Sequence, residues 1–149
     1  KEATSADLEV WHPSKLMVEE FMSTDLFTVQ RDDLIELVAE IMDWRRIRYM
    51  PVENNRCELI GLVSSRMLLR HFSRCRKSDD ECPITVKDIM IEKPITVTPE
   101  TTVMEAMNKM RENRIGCLPV VKGKELVGII TEMDFLRITG RLMERVEKQ

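Results

Sequence analysis

The chain has 149 residues, 43% hydrophobic and 33% charged, with 23 Lys plus Arg against 26 Asp plus Glu and a formal charge of -3. That length suits one ordinary domain or two small units sharing a core, and the balanced charge makes no demand for nucleic acid or an anionic membrane. No apolar run approaches the roughly 18 residues that a bilayer-crossing helix needs, no signal peptide is visible, and Cys57, Cys75, Cys82 and Cys117 fall short of a disulfide scaffold, which points to a reducing, cytoplasmic setting.

In chain order, residues 1–14 read as an irregular extension or a short helix, with Trp11 anchoring it to the body. A first residue of Lys1 in place of Met fits a piece of something larger. Residues 15–74 form a first repeat. Its helix carries Ile35, Val38 and Met42 on one face at helical spacing, with Asp33 as candidate cap. Two strands around "PVENNRCELIGLV" follow, then a helix over about 66–74. Residues 75–84 are a polar, charged link, expected to be solvated. His71, Cys75 and Cys82 lie near it but match no usual zinc spacing, so these cysteines read as surface or half-buried thiols.

Arg66, Arg70, Arg74, Arg76 and Lys77 make a basic stripe. Acidic residues at 79–81 follow at once and no aromatics interleave for base stacking, so the stripe reads as a solvated helix face. Residues 85–149 form the second repeat. "PITV" is its first strand. Val103, Ala106, Met107 and Met110 share one helix face, and Thr102 with Glu105 offers a capping box. "CLPVV" and "ELVGII" make a hairpin with Gly123 in its turn, and a closing helix spans about 132–144. Cys117 reads as core, and the 11 methionines as fillers of irregular gaps.

The two repeats say nearly the same thing. "VEEFMSTDLFTV" lies over "VKDIMIEKPITV" at an offset of 68, which puts Met22 on Met90, Met42 on Met110 and Pro51 on Pro119. "ELIGLVSSRM" lies over "ELVGIITEMD" at 67, one residue having been lost in the turn. Fixed-offset similarity on this scale marks an internal repeat. The fold class is therefore α/β (α+β): two β-α-β-β-α repeats packed as an intramolecular pseudo-two-fold pair.

"LVGIITEMDFL" raises the functional question. If β-structure ends at Thr131, that residue is the helix cap and Asp134 closes a capping box, worth about 1 kcal/mol without any ligand. The same geometry also describes a ribose-phosphate seat. Free amides and a hydroxyl at the helix start favour phosphate, a carboxylate one turn in accepts from a sugar diol, and Gly128 permits close approach. Composition leaves both readings open. Neither His12 nor His71 has a nucleophile with an orienting carboxylate, so no catalytic triad is suggested.

On "VEEFMSTDLFTV", "RYMPVENNRCELIGLVSSRMLL", "VKDIMIEKPITVTPETTVMEAMNKM" and "IGCLPVVKGKELVGIITEMDFL", the chain resembles a tandem pair of CBS domains, a Bateman module. The resemblance runs from about 15 to 141 and implies a regulatory module, not an enzyme. It implies an adenosyl ligand between the repeats: AMP, ADP or ATP, with or without Mg²⁺, and less often S-adenosylmethionine or NAD. By resemblance Asp134 holds the ribose hydroxyls and Thr131 a phosphate oxygen, beside Gly128. The adenine lies against Ile47, Arg48 and Tyr49, and Arg48 or Arg137 meets phosphate. Arg45 and Arg46 are further counter-charges for a longer phosphate chain.

The first repeat departs from the pattern. It keeps Gly61 and Ser64, but Met67 stands at the acidic position and cannot accept from a diol, which leaves one competent site. The resemblance further implies a homodimer and an attached or partner protein under control. A ligand-free dimerisation module is the rival reading, and the two part on titration with adenylates. No membrane contact is expected.

Overall fold

The computed structural model describes residues 13–75, 82 and 85–148. Trp11, Arg76, Lys77 and the acidic residues at 79–81 lie outside the described residues, and with them the expectations attached to them. The chain makes two compact units whose borders do not follow the sequence repeats. One takes Leu26–Ile95 with Gly123–Leu126; the other takes the chain up to Asp25, Thr96–Lys122 and Val127 onward.

The Leu26–Ile95 unit contains α1 (Ile35–Arg45), β1 (Tyr49–Glu53), β2 (Leu59–Ser64), α2 (Ser65–Cys75), α3 (Val86–Ile89) and β3 (Ile91–Glu92). Its sheet runs β1-β2-β3, antiparallel throughout, with Met50 opposite Val63 and Gly61 opposite Glu92. Val29, Ile35, Val38, Met42, Met50, Val52, Val63, Leu68 and Val86 form its core. The expected face of α1 is thus the buried one. Val86 is fully enclosed here although it begins the second repeat. Its N–H donates to the Asp33 carbonyl at 2.9 Å, and Leu34 bridges Thr85. Burying such a valine stabilises the unit by about 1.5–3 kcal/mol.

Asp33 does not cap α1. Extended Leu34 holds that position without a side-chain cap bond. Asp33 instead turns back, its Oδ2 accepting the Gln30 N–H at 2.8 Å, so it stabilises the turn before the helix. α1 ends on Arg46 in the left-handed region, φ 55°.

The other unit contains two short 3-10 turns (Pro13–Lys15 and Val18–Glu20), α4 (Val103–Asn113), β4 (Cys117–Lys122), most of β5 (Glu125–Thr131) and α5 (Glu132–Glu147). Val18, Val97, Ala106, Met110, Leu118, Val120 and Ile130 form its core. Val18 here does what Val86 does in its counterpart: it donates from its backbone to Thr101 O at 2.8 Å. α4 is capped by Thr102, whose Oγ1 accepts the Glu105 N–H at 3.1 Å, and ends on left-handed Arg114, φ 52°. The two equivalent helices thus end alike, each on a left-handed residue that closes the last turn.

The expected strand "PITV" shrinks to a single parallel bridge, Val97 to Val120, and the first repeat does the same with Val29 and Val52. Each segment turns immediately afterwards, at Gln30–Asp33 and Thr98–Thr101, so the ladder cannot extend. The closing helix runs to Glu147, one turn past the expected end. Gly140 lies inside it, and a Cβ there would meet nothing within 4 Å. Gly140→Ala is therefore expected to stabilise the protein by about 0.5–1 kcal/mol, read as a higher urea midpoint at unchanged slope.

One disulfide departs from the sequence expectation of free thiols in the link: Cys75 is bonded to Cys82, their Cα atoms 5.7 Å apart. Spacing could not show it, because a separation of seven residues matches no motif. Cys57 is free and exposed, Cys117 free and buried. Among the described residues no helix is long and apolar enough to cross a membrane.

Candidate functional site

Gly128, Thr131, Asp134 and Arg137 lie together where β5 passes into α5. Gly128 is buried between reciprocal backbone bonds that join Ser23 and Ile129 at 2.9 and 3.0 Å. A Cβ on Gly128 would stand 2.5 Å from Met22 Sδ and 3.2 Å from the Ser23 carbonyl. The protein's own Met22 and Ser23 thus already exclude a side chain at this position. Gly61 sits under Met90 in the same way, a hypothetical Cβ falling 2.7 Å from its Sδ. The repeat alignment already stacked methionine on methionine and glycine on glycine; it could not say that they touch.

Thr131 ends β5 in extended conformation and is the N-cap of α5. Its N–H donates to Asp134 Oδ2 at 2.8 Å, and its hydroxyl leans on the same oxygen at 3.4 Å. The Glu132 N–H donates to Gly116 O at 3.1 Å. Asp134 Oδ1 accepts from Arg137 Nη2 at 3.0 Å, and the same nitrogen donates to the Phe21 carbonyl at 3.0 Å. Both readings of the motif therefore stand on one geometry. The capping bond is made, and the carboxylate is neither sealed nor wholly used by it. Its side chain is 14% exposed, Oδ1 keeps a second lone pair, and the Arg137 partner is 52% exposed. An ion pair that open to water holds weakly.

Cys117 lies close enough for its titration to feel Asp134. Burial first, and then the Asp134 carboxylate, push its thiol far above the ordinary range. Cys117 is therefore expected to resist iodoacetamide in the folded protein while exposed Cys57 reacts, a difference that mass spectrometry of the two peptides reads directly.

Ile47, Arg48 and Tyr49 belong to the Leu26–Ile95 unit. Ile47 is half-buried and donates its N–H to Met42 O at 3.0 Å. Arg48 is exposed, its carbonyl accepting the Ser65 N–H at 2.8 Å, and Tyr49 opens β1 opposite Ser64. Arg45 lies over the rings of Phe27 and Trp44, at 4.2 and 4.5 Å. That stacking employs its guanidinium. In the first repeat Ser64 Oγ accepts the Met67 N–H at 3.2 Å. The cap survives there without any carboxylate. The contact of Arg137 with Phe21, 116 residues apart in sequence, had no sequence signal.

The family model for the CBS domain matches twice, over residues 18–74 and 86–140. A CBS domain-containing protein of Dictyostelium discoideum is 29% identical over 143 residues, covering 91% of this chain and 99% of that protein. Inosine-5'-monophosphate dehydrogenase of Korarchaeum cryptofilum is 36% identical over 117 residues, 78% of this chain but 23% of the enzyme. This chain thus spans under a quarter of that relative's length. Among solved structures, AcuB of Vibrio cholerae superposes with a TM-score of 0.82 at 30% identity, covering 89% of this chain and 98% of that one. CBSX2, solved in complex with AMP, gives 0.77 at 25% identity, covering 86% and 98%. With both repeats matched and the fold shared, the chain belongs to the CBS domain family as a tandem pair.

Proposed function

We propose that this CBS pair senses an adenosyl ligand, AMP, ADP or ATP, and that binding controls an attached or partner protein. A CBS pair is a regulatory module and not a catalyst. The observation that carries the ligand reading is the Asp134 carboxylate, largely enclosed but not sealed, beside the Thr131 cap at the start of a 16-residue helix. The AMP held by the related CBSX2 supports the ligand class.

In this reading Asp134 accepts from the ribose diol. Thr131 and the first amides of α5 face phosphate, and Arg137 leaves the carboxylate to meet that phosphate. Gly128 keeps the strand end close-packed. Met67 leaves the first-repeat site without an adenosyl ligand. Regulation then requires the ligand to favour one arrangement of the protein over another. The module works in the cytoplasm as a homodimer, and exposed Leu69, Met133, Leu136 and Met143 offer apolar surface for the second copy.

The ligand-free dimerisation module is the second reading, favoured by the partners that Asp134 already has. Calorimetric titration of AMP, ATP with and without Mg²⁺, NAD and S-adenosylmethionine into protein stripped of nucleotide separates the two. One adenylate equivalent per chain is expected. Saturation by NAD or S-adenosylmethionine alone would transfer the site to that ligand. Silence with all of them would leave the second reading standing.

A further inference from the structure

Cys75 and Cys82 are seven residues apart in sequence and joined at the end of α2, within the Leu26–Ile95 unit. Neither is buried. One turn earlier on the helix, His71 places Nε2 3.6 Å and Nδ1 3.7 Å from Cys75 Sγ. α2 carries Arg66, Arg70 and Arg74, all exposed, and no acidic residue. Among the described residues no group of His, Cys, Asp and Glu side chains stands where it could hold a metal ion. We propose that Cys75 and Cys82 form a reversible thiol–disulfide exchange site for low-molecular-weight disulfides such as glutathione disulfide, with His71 positioning and activating the Cys75 sulfur.

The physical case rests on charge and access. The carboxyl end of a helix disfavours a thiolate. A ring N–H of His71 lying 3.6 Å from the sulfur can donate to a thiolate there, and the arginines of α2 add positive potential, so both oppose that effect at Cys75. Oxidation begins when that thiolate attacks glutathione disulfide. The S–S bond of the reagent breaks, a Cys75–glutathione disulfide forms and one glutathione thiolate leaves. The Cys82 thiolate then attacks the Cys75 sulfur and expels the second glutathione. The two protein protons end on the two glutathione thiols, and two electrons pass from protein to reagent. Reduction retraces these steps. The closed form ties the end of α2 to Cys82, three residues before Thr85, which is itself paired with Leu34.

The test equilibrates the whole chain in buffers of varied reduced-to-oxidised glutathione ratio, traps free thiols with a heavy maleimide and counts labels by mass. Cys75 and Cys82 are expected to lose and regain two labels together across the series. A second arm follows glutathione attachment to Cys75 in reduced Cys82→Ser protein, with exposed Cys57 as internal standard. His71→Gln in that background is expected to slow attachment at Cys75 several-fold and leave Cys57 unchanged. The proposal is overturned by a pair that never closes. It is equally overturned by one that stays closed under a large excess of reduced glutathione, and an unchanged Cys75 rate in His71→Gln removes the role of the histidine.

Discussion

Asp134→Ala is expected to weaken adenylate binding at least a hundredfold while costing only about 1 kcal/mol of stability. The two numbers have different origins. The carboxylate closes the return bond to the Thr131 N–H, and losing such a cap bond costs about 1 kcal/mol. That is a fall in melting temperature of about 2–4 °C for a chain of this size. Two charge-assisted hydrogen bonds to a sugar diol are worth about 1.5–3 kcal/mol each, which exceeds two powers of ten in affinity. Thr102→Ala is the control. It removes a real cap bond, Glu105 N–H to Thr102 Oγ1 at 3.1 Å, in the same unit. The two variants should match in calorimetric melting and differ in titration. If Thr102→Ala weakened binding as much as Asp134→Ala, affinity would be tracking stability and the ribose role would be wrong.

Gly128→Val is expected to cost about 1–3 kcal/mol, the range for overpacking a closed core. The first added atom already falls 2.5 Å from Met22 Sδ and 3.2 Å from a backbone oxygen. The methionine can yield; the Ser23 carbonyl, fixed by its bond to the Ile129 N–H at 3.0 Å, cannot. Gly61→Val should behave alike, against Met90 and the Ile91 carbonyl. Pairing Gly128→Val with Met22→Ala in a denaturation cycle should show less-than-additive loss, since the second change clears the side chain the first one strikes. Strict additivity would mean that the methionine contact is not what excludes a side chain at 128.

What the sequence made legible was what the repeat states twice and what capping chemistry spells out locally. The buried faces of α1 and α4, the hairpins and the Thr102 cap follow from periodicity and capping chemistry, which are local. The motif at Thr131 and Asp134 was legible as a pair of possibilities, and its geometry satisfies the cap without closing the pocket reading. Other features were silent. Val18 and Val86 look like the buried starts of their own repeats, but hydrophobicity says that a side chain is enclosed and not by whom. Asp33 had the right chemistry for a cap one residue too early, and a turn took it. Cys75 and Cys82 are bonded at a separation of seven residues that matches no motif. Arg137 reaches Phe21 across 116 residues, a distance no local pattern can encode.

The exchange of Val18 and Val86 between units has a consequence for synthesis. On a ribosome Val18 emerges well before the Thr101 carbonyl that receives its amide and before packing partners that reach to Ile130. The earlier segment must wait, unsheltered, for the later one. Either repeat made alone would carry a hydrophobic strip whose pocket had been left in the other.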